Sequence, residues 1–164
     1  MVFAFIAIGS NLAGRFGEPA AVVAAAMTAL ESVDIQVVAR SSLYRSAAWP
    51  DPSDPEFVNA VVAVETRLSP SALLARLHEI ETAFGRKRRH ANAPRTLDLD
   101  IVDYGGMASA GGETPILPHP RMADRAFVVL PLMDIAPDWR HPVTGQTIRD
   151  LVAALPTPSG AMPL

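Results

Sequence analysis

The string Leu97-Asp98-Leu99-Asp100-Ile101 constrains this chain more than any other. Large aliphatic and acidic residues alternate, which matches the two-residue period of a β-strand and not the period of a helix. Leu97, Leu99 and Ile101 must then face a core while Asp98 and Asp100 emerge on the other side, about 7 Å apart along the strand. Two carboxylates on one face can converge on a hard divalent cation such as Mg²⁺, which favours such oxygens together with substrate phosphates. The same alternation also fits a sheet whose polar face is simply solvated.

Other segments take their places around that strand. Val2 to Ile8 is a short apolar run that stops at Gly9, the pattern of a buried strand. Pro19 opens a helix that continues through Ala20 to Leu30. Ile35 to Arg40 alternates as a second strand, and the proline-rich segment Trp49 to Pro55 reads as a loop. Phe57 to Glu65 is a third strand with Val58, Ala60, Val62 and Val64 on one parity and Phe57 and Asn59 on the other. Ser69 and Pro70 start a helix whose apolar stripe is Leu73, Leu77, Ile80 and Phe84, ended by Gly85. The fourth strand covers Leu97 to Tyr104, helices follow around Ala123 to Ile135 and Thr147 to Leu155, and Thr157 to Leu164 reads as a loose tail. The order βαββαβ predicts an α+β, ferredoxin-like single domain spanning residues 1–164. Helices pack on one face of an antiparallel sheet, with extra C-terminal helices. The second face of the sheet is left for a ligand.

Composition narrows the chemistry. The net charge of -3 argues against a general nucleic-acid or anionic-membrane surface. There is no cysteine, which removes disulfides, thiolate nucleophiles and Cys-ligated metal centres, and a cytoplasmic setting is the simplest reading. No apolar run approaches the ~20 residues of a membrane span, and the N-terminus lacks the basic region of a secretory signal. The four histidines have no zinc-site spacing, and the only lysine, Lys87, is not in a Gly-Lys-Ser/Thr string, so there is no P-loop.

The average charge conceals a cluster. Arg86, Lys87, Arg88, Arg89 and Arg95 are five of the 14 basic residues and fall within ten positions. Arginine forks match phosphate oxygens. Gly85 and Pro94 suit a mobile loop that closes over a substrate, although a solvated basic loop has the same composition. Phe57 with Asn59 offers a flat ring beside an amide, which suits a heterocycle as well as it suits packing. His119 and Arg125, after Pro118, are further possible ligand contacts.

Taken together, Ala7-Ile8-Gly9-Ser10-Asn11-Leu12, Phe57-Val58-Asn59-Ala60, Pro94-Arg95-Thr96-Leu97-Asp98-Leu99-Asp100 and Leu117-Pro118-His119-Pro120-Arg121 resemble the 6-hydroxymethyl-7,8-dihydropterin pyrophosphokinase family of folate biosynthesis. The resemblance runs in order over about residues 3 to 151. It implies a ferredoxin-like fold and Mg²⁺-dependent transfer of diphosphate from ATP to the hydroxymethyl group of the pterin, with release of AMP. It also implies two Mg²⁺ ions held by Asp98 and Asp100, and phosphate clamping by Arg86 and Arg95. Glu81, Arg88, His119 and Arg125 fall where nucleotide contacts are expected. Phe57 and Phe127 would sandwich the pterin, Asn59 would read its polar edge, and Ser46, Ala47 and Trp49 would line its pocket. The chain departs from the family pattern at Ala91-Asn92-Ala93, where one loop arginine is missing, and at Pro120, where tyrosine is common. Small-molecule substrates are the corresponding expectation, and a monomer is expected because no extended unpaired apolar surface is evident in the sequence. A ferredoxin-like module that binds nucleotide or metal without turnover is the alternative reading of the same residues.

Overall fold

The computed structural model describes residues 1–87 and 93–164. Six strands and four α-helices follow in the order β1 (Val2–Ser10), α1 (Pro19–Ala29), β2 (Ile35–Arg40), β3 (Tyr44–Ser46), β4 (Phe57–Thr66), α2 (Pro70–Ala83), β5 (Asp98–Tyr104), α3 (Ala126–Ile135), α4 (Ile148–Ala153) and β6 (Ala161–Pro163). A 3-10 turn, Met122–Asp124, precedes α3. The strands form one sheet in the order β5-β1-β4-β3-β6, with β2 paired to the other half of β4, and every pairing is antiparallel. The expected βαββαβ core is therefore present, and its two central strands, β1 and β4, are the longest.

Each sheet face follows from strand parity. Ile6, Ile8, Ala60, Val62, Val64, Leu99 and Ile101 point to one side and are buried against α1 and α2, together with Leu73, Leu77, Ile80 and Phe84 of the second helix. Ser69 caps α2 by accepting a hydrogen bond from the Ala72 N–H, and Pro70 occupies its first turn, so the start of this helix is set locally. On the opposite face, Phe5, Ala7, Val61 and Val102 pack under α3 and α4, with Val128, Val129, Leu132, Ile148 and Leu151. The second face is thus half covered by the C-terminal helices and half open.

Three local differences from the sequence reading have physical causes. β1 does not stop at Ile8, because Gly9 and Ser10 continue the ladder opposite Asn59 and Val58. The expected helix over 123–135 breaks at Arg125, whose extended backbone (φ -104°, ψ 101°) separates the 3-10 turn from α3. The tail is not loose throughout. Ala161–Pro163 pairs with Tyr44–Ser46, and the Leu164 N–H donates to the Leu43 carbonyl at 3.0 Å. Three-residue strands carry too little periodicity to be read from sequence, and both β3 and β6 are of that length.

β6 covers the outer edge of β3, which would otherwise be exposed. Met162→Pro removes an amide from this pairing. Amide exchange at Tyr44–Ser46 should then accelerate while the centre of β4 stays protected. Unchanged protection at β3 would show that β6 does not hold it.

Candidate active site

The open half of the second sheet face is the floor of a cleft of about 590 Å³. Its floor is written in the sheet register. Gly9 lies opposite Asn59 on one side and Asp98 on the other, and Ala7 lies opposite Val61 and Asp100. Cross-strand partners share a face, so two rows emerge together: Asn59–Gly9–Asp98 and Val61–Ala7–Asp100. The middle member of each row is small. A Cβ at Gly9 would sit 3.4 Å from Asn59 Oδ1 and 3.6 Å from the Phe57 ring, filling the space that glycine keeps open.

Ser46, Ala47, Trp49, Phe57, Asn59, Arg95, Asp98, Asp100, His119, Arg125 and Phe127 all line this one cleft. Asn59 is 4% exposed. Its Nδ2 donates to Ser46 Oγ at 2.9 Å, which fixes the amide and leaves Oδ1 as the acceptor available to a ligand. Phe57 and Phe127 each carry an arginine over one ring: the Arg95 guanidinium lies 5.6 Å from the Phe57 centroid and that of Arg125 5.5 Å from the Phe127 centroid.

Two expected site residues do not line the cleft. Glu81, 2% exposed, lies behind the acidic strand, where its Oε2 accepts the Leu99 N–H at 2.9 Å and Arg86 Nη1 at 2.6 Å. Arg86 also donates to Asp98 Oδ1 at 2.8 Å, so Glu81 is linked to the first acid of the pair through Arg86. Arg95 Nη1 donates to the other oxygen, Asp98 Oδ2, at 3.2 Å. Arg88 and the rest of the expected mobile loop over 88–92 lie outside the described residues.

The two acids sit in different environments. Both oxygens of Asp98 meet an arginine, whereas Asp100 has no hydrogen-bond partner among the described residues. Burial, and then the neighbouring Asp98 charge, push the Asp100 carboxyl up to about 6. Burial and the nearby Arg125 push the His119 imidazole down, favouring its neutral form. Its Nδ1 accepts the Arg121 N–H at 3.2 Å, so the neutral ring carries its proton on Nε2 as a donor.

Asn11 and Arg121 carry no assigned role in the sequence reading. Asn11 is 2% exposed. Its Oδ1 accepts the Arg95 N–H at 2.8 Å, its backbone N–H donates to the Arg95 carbonyl at 3.2 Å, and its Nδ2 donates to the Pro55 carbonyl at 3.1 Å. It therefore ties the basic segment to the residues just before Phe57. Arg121 and Asp124 line the cleft from the 3-10 turn. An Asn after a strand and an Arg in a proline-flanked turn give no signal alone that separates them from ordinary turn residues.

Residues 5–137 match the family model described as 7,8-dihydro-6-hydroxymethylpterin-pyrophosphokinase. The chain belongs to this family. It is 41% identical over 161 residues to the 2-amino-4-hydroxy-6-hydroxymethyldihydropteridine pyrophosphokinase of Methylorubrum extorquens, covering 98% of this chain and 97% of that one. It is 43% identical over 155 residues to the enzyme of the same name from Pseudomonas aeruginosa, covering 93% and 91%. Among solved structures, the HPPK-DHPS of Plasmodium falciparum with pterin and p-hydroxybenzoate superposes with a TM-score of 0.73 at 15% identity. That match covers 93% of this chain but 43% of the longer partner, and it bears on the fold alone.

The Asp100 environment carries a stability consequence. Its folded-state value lies above the ordinary 3.8, so its contribution favours folding below pH 4 and is lost as pH rises through about 6. Asp100→Asn should stabilise the metal-free protein at pH 7 by ~1–3 kcal/mol, and the difference should shrink as pH falls from 6 to 4. Thermal melts of both proteins across that range check it. A less stable variant at pH 7 would show that Asp100 is not held at a cost.

Proposed function

We propose that this protein is a pyrophosphokinase that transfers the β,γ-diphosphoryl group of ATP to the hydroxymethyl oxygen of 6-hydroxymethyl-7,8-dihydropterin and releases AMP. The single observation that carries the reading is the convergence of a strand carboxylate pair, arginines and two aromatic rings on one cleft. Family membership supplies the reaction class. In the transfer, the hydroxymethyl oxygen bonds to Pβ, the bond from Pβ to the oxygen bridging it to Pα breaks, and the hydroxyl proton is lost. Such a step needs alignment and charge neutralisation, not a protein nucleophile.

The donor set fits Mg²⁺. Asp98 and Asp100 are hard oxygen donors on one strand face, and among the described residues no group of three or more His, Cys, Asp or Glu is placed to hold a metal by itself. A cation here must complete its shell with water and phosphate oxygens, as Mg²⁺ does. Asp98 and Asp100 would hold two such ions, whose charge would neutralise the phosphates. Asn59 Oδ1 would accept from the polar edge of the pterin and the rings of Phe57 and Phe127 would cover its faces, with Ser46, Ala47 and Trp49 closing that end. His119 and Arg125 would contact the nucleotide. Arg86 and Arg95 would move from Asp98 to the phosphates once a cation takes the carboxylate, and Arg88 belongs to the same loop. Glu81 would act by positioning Arg86. We take the protein to act as a monomer on these small molecules and place the reaction in the cytoplasm, where ATP is held.

Incubation with ATP, Mg²⁺ and hydroxymethyl-dihydropterin should yield AMP, followed by chromatography. Asp98→Ala and Asp100→Ala should each reduce turnover by at least a hundredfold, as loss of charge stabilisation at a phosphoryl centre does. ATP binding without AMP release by the intact protein would favour the non-catalytic binding module. A separate outcome concerns the ion pair: without nucleotide, Arg95→Ala should bind Mn²⁺ more tightly than the unaltered protein, because a competing cation has been removed from Asp98. Weaker Mn²⁺ binding, read by titration calorimetry, would contradict the exchange.

A further inference from the structure

The basic segment over 86–95 dominates the sequence, yet its described arginines are already committed. Arg86 is held by Glu81 and Asp98, at 2.6 and 2.8 Å. Arg95 donates to the Ala93 carbonyl at 3.1 Å and to Asp98 at 3.2 Å. A ligand polyphosphate must compete with these contacts. Arg121, outside that segment, differs. It is exposed, it lines the cleft, and its guanidinium has no hydrogen bond or ion pair among the described residues. Asp124 lines the same cleft three residues on, but only its backbone N–H meets Arg121, at the carbonyl, 3.3 Å away.

The turn that presents Arg121 is firmly seated. Met122 is 1% exposed, its N–H donates to the His119 carbonyl at 3.2 Å, and the Arg125 N–H donates to the Met122 carbonyl at 3.2 Å. Arg121 therefore offers five donors from a fixed base, in the same cleft as the acids that would hold the cations, at no cost in broken ion pairs. We propose that Arg121 is a further phosphate-binding residue, which takes the phosphate chain of the nucleoside triphosphate before the loop arginines leave Asp98. This assignment rests on the pyrophosphokinase reading and adds to it a cleft-lining residue outside the basic segment.

The test compares the unaltered protein with Arg121→Ala, Arg121→Gln and Arg121→Lys. Binding of α,β-methylene-ATP with Mg²⁺ is measured by calorimetry, and KM is measured for ATP and for the pterin. Loss of one charge-assisted contact should weaken analogue binding and raise the ATP KM about tenfold in the alanine and glutamine variants. The pterin KM should stay within about twofold, and lysine should recover part of the loss. Unchanged analogue binding in Arg121→Ala would overturn the assignment, as would an equal rise in both KM values, which marks a general disturbance of the cleft. If the unaltered protein binds the analogue but forms no AMP, the proposed reaction fails while the binding comparison still decides Arg121.

Discussion

Glu81 lies almost wholly buried beneath the outer edge of β5, and a carboxylate in that position must find partners for its charge. It finds two. The Leu99 N–H, on the free edge of an edge strand, donates to it, and Arg86 brings a compensating positive charge. The same guanidinium reaches Asp98. One buried ion pair thus pins the edge strand to α2, satisfies an amide that no neighbouring strand reaches, and orients the first acid of the pair. Removing one member of such a pair costs about 3–5 kcal/mol, because the other is stranded. The geometry of the cleft depends on this contact although neither Glu81 nor Arg86 lines it.

The same arrangement explains why the site is balanced in charge. Asp98 is neutralised twice over, whereas Asp100 is half buried without a hydrogen-bond partner among the described residues and its carboxyl is raised in consequence. The protein holds one acid in readiness and the other under strain from its surroundings. Under the proposed function a divalent cation would relieve the second and displace the partners of the first, which would link metal binding to release of Arg86 and Arg95.

Much of this was legible in residue order, for reasons that differ by element. The alternation at 97–101 and the stripe Leu73, Leu77, Ile80 and Phe84 state their periods over enough residues to place each face, and both faces came out as expected. Phe57 and Asn59 were paired correctly because strand parity alone puts them together. Glu81 was expected at the nucleotide only through the family resemblance, whereas its burial behind β5 depends on how α2 docks, which local pattern does not encode. β3 and β6 were missed because three residues cannot display a period. The break at Arg125 was missed because the apolar pattern runs through it, and only tertiary packing turns that residue and Phe127 toward the cleft.

Gly9 and Ala7 are easily passed over, yet they make β1 a spacer. Asn59 and Asp98 flank it on neighbouring strands, so their backbones stand two strand spacings apart, about 10 Å. Hydrogen-bonded strands cannot slide apart or together, so that separation is a fixed ruler between the place where, on the proposed function, a ring would be recognised and the place where phosphate chemistry would be supported. Loops can reshape the walls of the cleft through evolution, but a substrate whose reactive arm is longer or shorter than this span meets a limit set by the sheet itself.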